Sequence, residues 1–140
     1  TYNYSEKIIK KEKAEVEFQI PKNIKILYAE DNLINQKITN AQLNNLGIKC
    51  DIAQNGLEAF EMYKAKNYDL ILMDMQMPVL DGIQTTKIIR EFSLLDKQPI
   101  VAMTAHAMVG DRERCIAAGM DDYLSKPINP EKLCVNKSHL

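Results

Sequence analysis

The stretch from Leu70 to Gly82 constrains the fold of this chain more than any other. Leu70, Ile71, Leu72 and Met73 form an unbroken apolar run between polar Asp69 and a turn containing Pro78, Asp81 and Gly82. Such a run, without alternation, reads as a short strand buried on both faces. Asp74 stands at its carboxyl end. A carboxylate sealed in a core would cost several kcal/mol, so Asp74 is expected to face a crevice, a cation or a partner. Pro78 and the Asp81-Gly82 pair then stop the strand and turn the chain toward a helix.

The same unit, an apolar run followed by a loop and an amphipathic segment, recurs from Ile24 onward. Strands are expected at Ile24 to Ala29, Ile48 to Ala53, Leu70 to Asp74, Pro99 to Thr104 and Asp122 to Ser125. A first helix is expected from Asn32 to Leu46, with Ile34, Ile38, Ala41 and Leu46 inward and Gly47 as its stop. Asn55 and Glu58 resemble a capping box opening a second helix through Lys66, with Phe60 and Tyr63 on the inner face. Further helices are expected at Gly82 to Phe92 and Val109 to Ala118, the latter stopped by Gly119. A last helix should begin near Pro130, although apolar periodicity fades after Leu133. Strands alternating with helices of this length give an α/β class with a doubly wound parallel sheet of five strands.

With 140 residues the chain has room for one domain of ordinary size and a tail. Residues 1–22 are expected to be a linker or N-terminal extension, 23–135 the domain and 136–140 a tail. Lys and Glu residues crowd positions 6–17 as a solvated face, and Val16, Phe18 and Ile20 alternate with polar neighbours as a short extra edge strand would. A net charge of −1 argues against bulk attraction to nucleic acid, and no apolar run is long enough to span a bilayer. Cys50, Cys115 and Cys134 are widely spaced, which fits reduced thiols in the cytoplasm better than a zinc site or a dithiol.

In an open sheet of this kind, ligands bind outside the carboxyl ends of the strands. Glu30 and Asp31 end the first strand, Asp74 the third, Thr104 the fourth and Lys126 the fifth. If the first and third strands are neighbours, three carboxylates crowd together and call for a cation. Oxygen ligands select a hard divalent ion, so Mg²⁺ is expected, with Asp31 and Asp74 as direct ligands and Glu30 acting through water. Lys126 and Thr104 supply donors on the opposite side, a set suited to holding a phosphoryl group on a nucleophilic Asp74. Singly, each residue has a commoner use: an acidic pair caps helices and a loop lysine is solvated. Unrelated uses would not place all of them at strand ends.

Four segments, Tyr28 to Asn32, Met73 to Gly82, Met103 to Ala107 and Asp122 to Ile128, resemble the receiver domain of two-component response regulators, most closely receivers attached to hybrid sensor histidine kinases. The resemblance implies a flavodoxin-like (βα)5 fold with strand order 2-1-3-4-5. It also implies a phosphoacceptor at Asp74, taking phosphate from a histidine kinase or a histidine phosphotransfer domain with Mg²⁺ present. Glu30 and Asp31 resemble the acidic pair, Lys126 the phosphate-contacting lysine and the main-chain carbonyl of Gln76 a further metal ligand. Thr104 and Tyr123 resemble the switch pair, Gln76 and His106 the positions flanking the site, and Lys126-Pro127 a bond that is usually cis in the family. By the same resemblance the domain is a phosphoacceptor rather than a kinase in its own right, its parent being a histidine kinase. The partner is expected to dock near the helix after Asn32, with neither nucleic acid nor membrane touching the domain. A free-standing regulator is an alternative. An aspartate-based phosphatase would want a second acid where Gln76 stands, and a passive receiver-like module would be expected to lack a site residue.

Overall fold

The computed structural model of the chain describes residues 24–93, 97–105 and 108–126. The expected linker, the extra edge strand before Pro21, His106, the Lys126–Pro127 bond and the last helix fall outside these residues.

The strands are β1 (Ile26–Ala29), β2 (Cys50–Ala53), β3 (Leu70–Asp74), β4 (Ile100–Thr104) and β5 (Asp122–Ser125). Between them lie α1 (Leu33–Asn45), α2 (Gly56–Ala65), α3 (Gly82–Phe92) and α4 (Asp111–Ala118). All strand pairs are parallel, in the order β2-β1-β3-β4-β5, as the flavodoxin-like reading anticipates. Every residue of β1, β3 and β4 is buried, which explains their continuous apolar runs.

Two apolar layers flank the sheet. On one face Leu27, Ala29, Ile71, Met73, Ile100 and Ala102 pack against Ala59 and Tyr63 of α2, Ile89 of α3 and Cys115 of α4. On the other, Ile26, Tyr28, Leu70, Leu72, Val101 and Met103 pack with Leu43 of α1. Alternate residues of each strand serve opposite layers, as the two-residue period of a strand requires.

Helix α1 departs from expectation. Ile34 and Ile38 are 68% and 45% exposed and Ala41 also faces outward, whereas Gln36, Thr39 and Leu43 are buried. The inward stripe carries two polar residues because the sheet supplies them partners: Gln36 Nε2 donates to the Glu30 carbonyl at 2.6 Å and Thr39 Oγ1 to the Tyr28 hydroxyl at 3.4 Å. A buried polar group with a partner costs little, so polarity misreports the helix phase here. Leu46, half-buried, does meet this layer as expected.

Capping differs as well. Asn55 Oδ1 accepts the Glu58 N–H at 2.8 Å, but the Glu58 carboxylate accepts from Gln54 N rather than returning to Asn55. The reciprocal capping box belongs to α3, between Asp81 and Gln84, and it fixes the helix that follows Asp74. Helix α4 begins at Asp111, two residues after the expected Val109, which is fully exposed.

Candidate functional site

The register of the central strands assembles the site. Ala29 of β1 pairs with Met73 of β3, so Glu30 arrives beside Asp74. Asp74 pairs with Met103 and Thr104 with Ser125, which brings the ends of β4 and β5 to the same rim. Lys126 is held there by its own N–H, which donates to the Thr104 carbonyl at 2.7 Å.

The loop after β3 is shaped to let α3 start close by. Leu80 N donates to the Pro78 carbonyl at 2.8 Å, closing a tight three-residue turn around Val79 at φ +71°. A β-branched residue there is strained, and Val79 is 68% exposed. Gly82 N then donates to the Met75 carbonyl at 3.1 Å. A side chain at Gly82 would run into the Asp74 carbonyl and the Met75 Cα, so only glycine permits this approach.

Carboxylate oxygens of Glu30, Asp31 and Asp74 lie within 4.8 Å of one another. Asp74 and Glu30 are buried, Asp31 exposed. Lys126 Nζ sits 2.5 Å from Glu30 Oε1 and 3.4 Å from Asp74 Oδ2. The lysine therefore stands among the acids rather than opposite them, because two buried carboxylates need a cation and Lys126 is within reach. Asp74 Oδ1 accepts the Gln76 N–H at 3.2 Å. Glu30 Oε1 also accepts from the Tyr28 hydroxyl at 2.8 Å, and Oε2 from Asn32 N at 3.2 Å.

These contacts split the two buried acids. Burial, together with neighbouring Glu30, pushes the Asp74 carboxyl up to about 7, against the pull of Lys126 and the Gln76 N–H. Burial also raises Glu30, but hydrogen bonding with Lys126, Asp74, Tyr28 and the Asn32 backbone outweighs it and leaves that carboxyl below its usual range. Of the two buried acids, Asp74 is therefore the one that holds a proton more tightly.

One cleft of about 950 Å³ is lined by Glu30, Asp31, Asp74, Gln76, Thr104 and Lys126. Tyr123 lies apart from it, half-buried on β5 against the layer under α4, with its hydroxyl sealed from solvent. Sequence reasoning missed Asn35 and Arg114, which also line the cleft. It missed Tyr28 too, although a hydroxyl-tipped residue on an otherwise apolar strand, two positions before an acidic pair, is a readable signal.

The donor set fits a hard cation. Three carboxylates this close repel one another, and a divalent ion ligated by oxygen relieves that repulsion better than a single ammonium.

The family profile described as response regulator receiver domain matches residues 26–136. The chain belongs to this family. It is 47% identical over 116 residues to hybrid signal transduction histidine kinase I of Dictyostelium discoideum, covering 78% of this chain and 7% of that kinase. The receiver domain thus spans a small part of such a relative. Among solved structures it is similar to the receiver domain of a Pseudomonas aeruginosa sensor histidine kinase with a magnesium ion coordinated in its active-site cleft. That likeness has 40% identity and a TM-score of 0.74, covering 83% of this chain and 95% of that one. It is also similar to a Saccharomyces cerevisiae co-crystal structure of a histidine phosphotransfer protein and the receiver domain of its downstream response regulator. There the identity is 38% and the TM-score 0.71, with 79% and 83% covered. The chain is a receiver domain of a two-component phosphorelay, homologous to receivers of hybrid kinases.

Proposed function

We propose that Asp74 is the phosphoacceptor of this receiver, taking a phosphoryl group from a phosphohistidine on a helical partner. The observation that carries this reading is the meeting of Glu30, Asp31 and Asp74 oxygens within 4.8 Å, with Lys126 Nζ 3.4 Å from Asp74 Oδ2. In the transfer, a carboxylate oxygen of Asp74 forms a bond to phosphorus. The P–N bond of the donor breaks, and its electron pair leaves on the imidazole nitrogen, which takes up a proton from solvent. Lys126 shifts its ammonium from the acids to the phosphoryl oxygens, and the Thr104 hydroxyl serves as a further donor. Bound Mg²⁺ would neutralise charge on the transferring group. Asp31 and Asp74 would hold it directly, Glu30 through water, and the Gln76 carbonyl would complete the protein ligands.

Thr104 and Tyr123 are proposed as the switch pair, and Gln76 and His106 as the site-flanking positions. The partner, a histidine phosphotransfer domain or a kinase, docks on α1, where Leu33, Ile34 and Ile38 stand exposed beside the cleft. The domain takes 23–135 of the chain, with 1–22 as a linker within a hybrid histidine kinase and 136–140 as a tail. The cytoplasm suits the free thiols of Cys50 and Cys115.

Incubation with Mg²⁺ and a small phosphodonor tests the assignment. Label stable to acid and labile to alkali is expected on the wild type and absent from Asp74→Asn and from Mg²⁺-depleted samples. Label surviving in Asp74→Asn would overturn it, and multiple turnover of unrelated phosphate esters would instead favour a phosphatase.

A further inference from the structure

Tyr28 is fully buried in the middle of β1, on the face that α1 covers. An apolar residue would fill that place as well, yet the hydroxyl reaches past the strand to the acidic cluster. It donates to Glu30 Oε1 at 2.8 Å and lies 3.4 Å from Thr39 Oγ1 of α1. Glu30 Oε1 is the same oxygen that takes Lys126 Nζ at 2.5 Å. Thr39, Tyr28, Glu30, Lys126 and Asp74 thus form one chain of polar contacts running from the interior of the α1 layer to the cleft.

The consequence lies in how the two oxygens of Glu30 are divided. Oε1 carries two donors, from Tyr28 and Lys126, while Oε2 accepts the Asn32 N–H. A carboxylate oxygen offers about two lone-pair sites, so Tyr28 and Lys126 fill Oε1 and leave Oε2 as the oxygen for a further ligand. Rotation of the carboxylate would exchange these roles, and the Tyr28 hydroxyl, held on a strand buried throughout, opposes that rotation.

We propose that Tyr28 is a positioning residue for the acidic cluster, its hydroxyl fixing the Glu30 carboxylate so that Oε1 is committed to Lys126 and Oε2 is left to serve a divalent cation. The inference rests on the phosphoacceptor reading of the cleft and adds to it a residue that touches neither phosphate nor metal. Groups that orient ligands from behind typically change metal affinity without taking part in ligation.

Titration of the intact chain with Mg²⁺ by calorimetry tests the idea, using Tyr28→Phe, which keeps the ring and removes only the hydroxyl. Binding is expected to weaken roughly tenfold. In labelling with a small phosphodonor, the Mg²⁺ concentration at half-maximal rate should rise by the same factor while the rate at saturating Mg²⁺ stays at the wild-type value. A merely structural role would lower the labelled fraction and leave the half-saturation point alone. Thr39→Val decides the matter if Tyr28→Phe does not fold: weaker Mg²⁺ binding supports the proposal, with Thr39→Ser expected to restore it. Wild-type affinity in the folded Tyr28→Phe variant, or in Thr39→Val where that variant is the one that folds, overturns the proposal. Failure of the wild type to bind Mg²⁺ or to label at Asp74 would overturn the phosphoacceptor reading instead, so the two failures are distinguishable.

Discussion

Asp74 is held in an unfavourable setting by its neighbours. Buried beside Glu30, its carboxyl is raised to about 7. A raised acid contributes stability that is fully present below its unfolded value of 3.8 and is lost as pH rises through about 7. Glu30 has the opposite sign, but its window lies below 4.5, so between pH 5 and 8 the Asp74 effect dominates the pair. Metal-free protein should therefore melt at a lower temperature at pH 8 than at pH 5. Asp74→Asn should flatten that slope and stabilise the protein at pH 8 by on the order of 2 kcal/mol, roughly 5 °C in Tm. Thermal melts followed by circular dichroism in the presence of a chelator check this. A variant as pH-sensitive as the wild type would mean that another group sets the slope.

At the scale of elements, the strands and the ends they deliver were legible, and the phase of α1 was not. Leu70 to Asp74 announces itself because a central parallel strand must be apolar on both faces and must stop where its carboxylate meets the cleft. Glu30, Asp31, Thr104 and Lys126 follow from the same rule. Helix α1 defeats the pattern because Gln36 and Thr39 take partners on β1 and its following loop that no local window can reveal. The Glu30–Lys126 pair, 96 residues apart, is equally silent in sequence. What Ile34 and Ile38 lose as core residues they gain as exposed apolar contacts, and the two roles separate by measurement. Ile34→Ala and Ile38→Ala should leave the denaturation midpoint nearly unchanged while slowing phosphotransfer from a histidine phosphotransfer partner roughly tenfold. Leu43→Ala, at a fully buried site, should instead cost about 2–5 kcal/mol of stability. Equal transfer rates for the Ile34 and Ile38 variants would remove α1 from the docking surface.

Across the whole molecule, the cluster ties together strand ends that lie far apart in sequence. The acids come from the ends of β1 and β3, the lysine from the end of β5, and β3 lies at the centre with β2 and β5 at the two edges. A cation bound by these acids is a ligand of the folded state only, since the unfolded chain keeps Asp31 and Asp74 far apart. At about 100 times its Kd such a ligand adds ~2.7 kcal/mol to global stability. Amides in β1, β3 and β4, where every residue is buried, exchange by global opening and should slow about a hundredfold on adding Mg²⁺. Amides of β2, a partly exposed edge strand, open locally without breaking the cluster and should change much less. Native-state hydrogen exchange with and without Mg²⁺ measures both sets at once. Slowing confined to the loops after Asp31 and Asp74, with the central strands unaffected, would show that the ion reads the rim of the sheet without coupling to its core.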